Sequence, residues 1–281
     1  MNYIGMERDR DLQYETGREY EAKEEQKCFR IYENPLDVFL LHPPASGRFF
    51  EVEKSWGSSR FENEIRSPKI KIGAELSLLG MVIAAIDYTA RHRGRCSAVY
   101  DGAAGGAAHC GPLRGTANIR GIRGVASATG RISAAMAEGD RSIAAASGDE
   151  SAACACGYKG IANATGIRSA AYATGDGGAA CVTGDSSTAT STGDWGTACA
   201  TGNGSAATAT GKASVAVAAG LHGKARGSIG SVLFLVERQE TGDDDAPVPR
   251  KILEAKAVIV DGVNIKPGIW YTLRDGELIE A

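Results

Sequence analysis

The chain has 281 residues, 37 of them glycine and only 6% aromatic, and 31 Lys/Arg against 34 Asp/Glu leave a formal charge of −3. That balance excludes a polybasic nucleic-acid arm or an acidic tail as the defining feature, and glycine without a Gly-X-Y period excludes collagen. The charged opening MNYIGMERDRDLQYE has no apolar leader, the run Leu78–Ile86 is too short to span a bilayer, and 7 irregularly spaced cysteines support neither a disulfide framework nor a zinc ribbon. A cytoplasmic setting with free thiols is expected.

Residues 1–93 have mixed composition and read as a small α+β domain. Strands are expected near Tyr3–Glu7, Glu19–Ala22, Arg48–Glu53 and Lys69–Ile72. Asn34 followed by Pro35 is the start signal of a short helix, and a second helix is expected from about Glu75 to Arg91.

Residues 94–228 are different. Glycine recurs at Gly121, Gly130, Gly139 and every ninth residue to Gly220, and the aligned nonamers give G-x-x-[S/G]-x-A-x-A-T. Weaker copies begin at Gly94 and Pro112. Such a period marks a repeat architecture. Each nonamer holds a short alternating stretch for a strand and a Thr-Gly step for a turn, in which glycine is expected to supply positive φ. Glycine at this frequency excludes a helix. The reading is a parallel β-solenoid of nine-residue half-coils, two strands per coil and about seven coils, on the order of 35 Å long at the strand spacing. The constant Ser/Gly, Ala and Ala positions are expected inside, because two closely apposed sheets admit only small side chains; the opposite parity would place Val125, Met136 and Ile143 inside. Residues 229–281 read as a β-meander with strands at Ser231–Arg238, Ala255–Val260 and Ile269–Leu273, turns at Asp261-Gly262 and Asp275-Gly276, and a polar loop over Thr241–Pro249. Both flanks are expected to cover the solenoid's ends, which would otherwise be open sheet edges.

Residues eighteen apart then stack on successive coils. One edge carries Arg123, Arg141 and Lys159 in a column, and the other carries Arg131 and Arg168. Stacked like charges are costly unless an anion or the nearby Asp140 offsets them, so these ladders are candidate sites for an anionic partner, with ordinary solubilising turns as the alternative. The outward apolar residues Val125, Ile143, Ile161, Val215 and Val217 mark one broad face as a surface for a protein partner or for homo-oligomerisation. The other broad face carries Met136, Cys154, Tyr172, Thr188, Thr190 and Thr208. The pairs Thr188-x-Thr190 and Thr208-x-Thr210 suggest ice binding as an alternative, although the array is not sustained. Turn aspartates (Asp140, Asp149, Asp176, Asp185, Asp194) lack the repeat pattern of a calcium β-roll, and Cys154-x-Cys156 alone is a poor zinc signal. Cys181 and Cys199 stack and are expected as free thiols.

Catalytic arrangements are thin. His42, His92, His109 and His222 fall in unrelated contexts, and no phosphate loop is present. Glu51 and Glu53 share one face of a strand, where two carboxylates can serve acid–base work. No cofactor, metal or catalytic residue is implied.

GREYE at 17–21, CFRIYENPLDVF at 28–39, FFEVE at 49–53, KIKIGAEL at 69–76, the SxAxATG repeats and VDGVNIKPGIWYTLRDGE at 260–277 together resemble a group of uncharacterised phage and prophage proteins. The resemblance spans essentially the whole chain and implies a mobile-element origin and expression in an infected host cell, with no established activity. The chain departs from the group at Phe29-Arg30-Ile31, where members often carry Gly-Phe-His after the cysteine. The order Tyr-x-Gly, NPLD helix, FFEVE also resembles a shrunken ADP-ribosyltransferase, which would imply NAD chemistry at Glu51 or Glu53; the match at Tyr3 and Gly5 is too short to carry NAD-binding roles across. The expectation is a non-enzymatic solenoid that presents side-chain ladders to a macromolecular partner, such as a host factor it inhibits. Residues 94–228 carry eleven Lys/Arg against eight Asp/Glu, a charge of +3 that argues against mimicry of duplex nucleic acid.

Overall fold

A computed structural model describes residues 2–7, 14–22, 28–42, 47–55, 57–61, 64–91, 97–111, 115–240 and 251–281. The polar loop expected over Thr241–Pro249 lies outside them, as do His92 and the starts of both weak repeat copies at Gly94 and Pro112. The fold is mostly β, 52% strand and 5% helix, with a parallel β-solenoid of about 7 turns behind an antiparallel N-terminal sheet.

The N-terminal sheet contains β1 (Asn2–Glu7), β2 (Glu19–Glu21), β3 (Phe29–Tyr32), β4 (Gly47–Lys54), β5 (Ser59–Phe61), β6 (Glu64–Ser67) and β7 (Lys69–Leu76), in the order β2-β7-β4-β1-β3-β6-β5. Alternation along the strands gives it two apolar faces. One buries Ile4, Met6, Ile31, Phe50, Val52, Ile65, Ile70 and Ile72 together with Tyr14. The other presents Tyr3, Tyr32 and Phe49 to Leu36, Val38 and Phe39. Those last residues belong to a 3-10 helix at Pro35–Leu40, opened as the sequence signals by Asn34, whose side chain accepts the N–H of Leu36. β3, β5 and β6 are not marked in the sequence, being short runs broken by charged residues.

The helix α1 spans Leu78–Arg91 and begins later than Glu75. Glu75 and Leu76 remain in β7, paired with Phe50 and Phe49, and the Glu75 carboxylate lies 2.7 Å from Arg48. Ser77 starts the helix, its Oγ accepting the N–H of Gly80. Met81, Val82 and Ala85 are buried between the 3-10 helix and the solenoid, where α1 crosses the strands Thr116–Ile122, Ala134–Glu138, Ala152–Ala155 and Ala170–Ala173. α1 is thus a shared layer that ties the N-terminal sheet to the side of the rod.

The rod has two parallel sheets. Hydrogen-bonded neighbours lie eighteen residues apart, for example Ala134↔Ala152 in the helix-covered sheet and Val125↔Ile143 in the open one. The constant positions point inward: Ala126, Ala135, Ala144, Ala153, Ala162 and Ala171 have no exposure, nor do Ser133, Ser142, Ser151 and Ser169. Alanine buries little area, so much of the cohesion is polar. Along one edge each serine links successive coils: the Ser169 Oγ accepts the Ser151 N–H at 3.2 Å and donates to the Gly148 carbonyl at 3.2 Å. The same stitch recurs at Ser151, Ser187 and Ser205, giving buried backbone N–H and C=O groups of that edge their partners.

The repeat glycine does not supply positive φ. From Gly148 to Gly220 none in this register is left-handed; the third residue of each nonamer is, from Arg123 (φ 61) and Arg141 (φ 57) to Trp195 and His222 (both φ 54). Its N–H, so turned, bonds to the next coil, as Arg141 does to the Tyr158 carbonyl at 2.7 Å. Glycine is required for another reason: a Cβ on Gly175 would fall far inside contact with the backbone of Gly157, and the same holds up the column. Turn aspartates clamp coils too, the Asp140 Oδ1 accepting the Tyr158 N–H at 3.0 Å and the Asp185 Oδ1 the Asn203 N–H at 2.7 Å.

The C-terminal segment plugs the rod's end. Val232–Arg238 adds parallel to Val215–Ala218 and pairs antiparallel with Ile252–Ile259. The hairpin Tyr271–Arg274/Glu277–Glu280 closes the other sheet at Ala225↔Tyr271. Its two-residue turn has Asp275 at φ 50 and Gly276 at φ 72, as the Asp-Gly signal requires. Leu233, Leu235, Val260, Tyr271 and Leu273 bring large side chains where alanines end.

Candidate binding surface

The two broad faces of the rod differ in what covers them. On the helix-covered sheet, Met136 and Cys154 are buried and Tyr172 half-buried against α1, so these residues do not form an outward face. In the threonine pairs Thr188 and Thr208 are buried, at 5% and 3% exposure, while Thr190 is half-buried and Thr210 exposed. The open sheet keeps its outward residues accessible. Val125, Ile143, Ile161, Ala179, Thr197, Val215 and Val232 form one continuous row, with Cys181, Cys199, Val217 and Phe234 in the row beside it. Val125 and Ile161 are the most exposed of the first row, while Ile143, Val215 and Val217 are half-buried by their stacked neighbours.

Beside that apolar row runs the edge bearing Arg123, Arg141 and Lys159. Each is the third residue of its nonamer, and each stands two residues before Val125, Ile143 and Ile161 respectively, so a cationic rail and an apolar rail flank one another on the same three coils. All three have a left-handed backbone and are exposed. Among the described residues none of the three has an ion-pair partner. Asp140, on the neighbouring second-position column, accepts the Tyr158 N–H through Oδ1 and keeps its charge. Ile122, Arg123, Asp140, Arg141 and Tyr158 line a shallow depression of about 320 Å³, and the Lys159 ammonium sits 5.1 Å from the centre of the Tyr158 ring. Two coils further on, the same third-position row places Trp195 at 67% exposure. Trp195 is missing from the sequence-derived site, yet column arithmetic finds it, since it lies in register with Lys159.

The other edge is arranged differently. Glu150 occupies a third position in that column, its side chain only 4% exposed, 3.1 Å from Arg131 and 3.7 Å from Arg168. Arg131 grips it with two hydrogen bonds. The expected basic ladder of Arg131 and Arg168 is therefore a closed cation–anion–cation cluster, because the carboxylate stacked between them offsets the repulsion internally.

The residues of the enzymatic alternative lie elsewhere. Glu53 is a solvated carboxylate 3.6 Å from Lys71, and Glu51 packs its backbone against Gly73. Tyr3 is buried against the 3-10 helix, and a Cβ at Gly5 would collide with Val38 and His42, so both serve packing. Cys181 and Cys199 are free and stacked, with burial raising both thiols. Cys110 departs from the expected free thiols, being disulfide-bonded. Among the described residues no three His, Cys, Asp or Glu gather as a metal site, and no helix is long and apolar enough to cross a membrane.

Residues 5–84 match a family described as a domain of unknown function, DUF7666. The match covers the N-terminal sheet and the first half of α1 and stops before the repeats. No curated protein and no solved structure matches the chain.

Proposed function

We propose that the protein is a non-enzymatic binding scaffold whose solenoid presents the paired rails of Arg123/Val125, Arg141/Ile143 and Lys159/Ile161 to an acidic protein surface. The observation that carries this reading is the contrast between the two edges. Arg131 and Arg168 share the Glu150 carboxylate within the fold, whereas Arg123, Arg141 and Lys159 stand in a column at strand spacing with no ion pair among the described residues. A like-charge column costs stability unless a partner supplies the anion. The adjoining apolar row supplies area to bury, and Trp195, on the row of the three cations, is the residue type that anchors interfaces. Complementary charge would steer association and make it salt-dependent. The resemblance to phage and prophage proteins supports a host factor in the cytoplasm as the partner. In this reading residues 1–93 and 229–281 are the flanking units that cover and support the nine-residue half-coils of 94–228.

The test is a pull-down from host lysate with the wild type, with Arg123→Glu/Arg141→Glu/Lys159→Glu and with Ile143→Lys/Ile161→Lys. One partner retained by the wild type, lost by both variants and eluted by moderate salt is expected. Retention that is the same in the charge-reversed protein overturns the reading.

A further inference from the structure

A dithiol lies on the covered side of the rod, away from the rails. Cys154 and Cys156 are the seventh and ninth residues of one nonamer, so they project from the same side of the strand Ala152–Ala155 at its end. Their Sγ atoms are 3.2 Å apart. At that separation one sulfur can donate its S–H to the other, and the two are close enough to be candidates for a disulfide. The two environments are unequal. Cys154 is fully buried against α1 among Met81, Met136 and Ala85. Cys156 is half-buried at the rim of that cluster, with access to solvent. The Cys154 S–H and the Thr174 hydroxyl both serve the Cys156 sulfur and lower its pKa from the ordinary thiol value, while the hydrogen bond to Cys156 and burial push Cys154 up. The charged neighbour on the adjoining strand, Glu138, is held by Arg120 at 3.0 Å.

We propose that Cys154 and Cys156 form a redox-active pair that exchanges with a low-molecular-weight disulfide of the glutathione type, Cys156 attacking and Cys154 resolving. The Cys156 thiolate attacks one sulfur of the disulfide; the S–S bond breaks, and the first small thiolate leaves and is protonated. Cys154 gives its proton to solvent and attacks the Cys156 sulfur of the mixed disulfide, expelling the second small thiolate. Two protein thiols are oxidised to one disulfide, and the small disulfide is reduced to two thiols. The more accessible, more acidic sulfur as nucleophile and the buried one as resolver match the demands of exchange chemistry. Cys181 and Cys199 supply an internal control, since both are raised by burial and, among the described residues, neither has a donor that lowers it.

The experiment incubates the full chain with oxidised glutathione and maps the products by mass spectrometry. The wild type is expected to form the Cys154–Cys156 crosslink. Cys154→Ala is expected to stop at a stable mixed disulfide on Cys156, and Cys156→Ala to leave Cys154 unmodified. If Cys154→Ala fails to fold by circular dichroism, the wild type alone decides. Cys156 is then expected to be alkylated by iodoacetamide at pH 7 on the order of tenfold faster than Cys181 or Cys199. A folded Cys154→Ala without the mixed disulfide, or equal alkylation rates, overturns the assignment.

Discussion

At the scale of single residues, the rod is held by positions whose roles look interchangeable in the sequence and are opposite in the structure. The first and third residues of each nonamer both sit in the turn. The first must lack a side chain because backbone passes directly above it, and the third carries the left-handed conformation. Gly175→Ala is therefore expected to destabilise the protein by about 4 kcal/mol or more in chemical denaturation, at the extreme of single substitutions. Ala213→Gly, at a left-handed and exposed third position, should stabilise it by about 1 kcal/mol, against the usual trend for glycine. Ser169→Ala leaves the Ser151 N–H and the Gly148 carbonyl without their buried partner, at a cost of about 2 kcal/mol. A nine-residue clock is legible in the chain because glycine and alanine stand out by type. Which backbone atom lies over which glycine depends on contacts eighteen residues away, and no local signal states that. Glu150 stands eighteen residues before Arg168 in one third-position column, a pair that counting reveals; its other partner, Arg131, sits one coil back in the neighbouring second-position column, and no local signal states that.

Elements were legible where their signals are local. Asn34-Pro35 and Asp275-Gly276 each fix their own turn by capping or by φ preference, and each is found where expected. β3, β5 and β6 gain their stability from neighbours in the sheet, and their sequences say little. The turn after the long C-terminal strand adds a titratable element. The Asp261 Oδ1 accepts the N–H groups of Val263, Asn264 and Ile265 at 2.8, 2.8 and 2.9 Å, and these bonds hold its pKa at about 2, below the unfolded value of 3.8. A depressed carboxylate contributes stability above its unfolded pKa and loses it as pH falls through the folded one. The turn should thus hold at neutral pH and loosen between about pH 4 and pH 2, with the Asp261 carboxyl resonance in NMR titrating near the lower limit. Asp261→Asn should abolish that acid step. The sheet face under α1 differs from the expected outward face for a different reason: Met136, Cys154 and Tyr172 have outward parity on their strands, and only the tertiary fold shows a helix lying over them.

At the scale of the molecule, the open ends of two sheets are closed by unlike devices. Large side chains from the meander fill the C-terminal end, whereas α1 and the N-terminal sheet grip the rod's flank. Removing residues 229–281 bares both sheets at Val215–Ala218 and Lys224–Gly227 and strips the end of the alanine core of its plug. Such a truncation is expected to associate end to end, visible as a shift to high mass in sedimentation. The candidate rails show the limits of reading such a surface from the chain alone. Their columns follow from counting, but whether a cation is free or neutralised follows only from which carboxylate the coil stacks beside it.

The register of eighteen between hydrogen-bonded neighbours also limits how such a gene can change length. Gain or loss of eighteen residues within the repeats adds or removes one full circuit, and every downstream strand returns to its own sheet. Slippage by nine keeps the glycines in step yet exchanges the sheets beyond the break. Residues that had faced solvent would then lie on α1's side, and Val232 and Tyr271 would meet the wrong terminal strands. Copy-number variation that preserves folding should therefore come in pairs of nonamers, never singly.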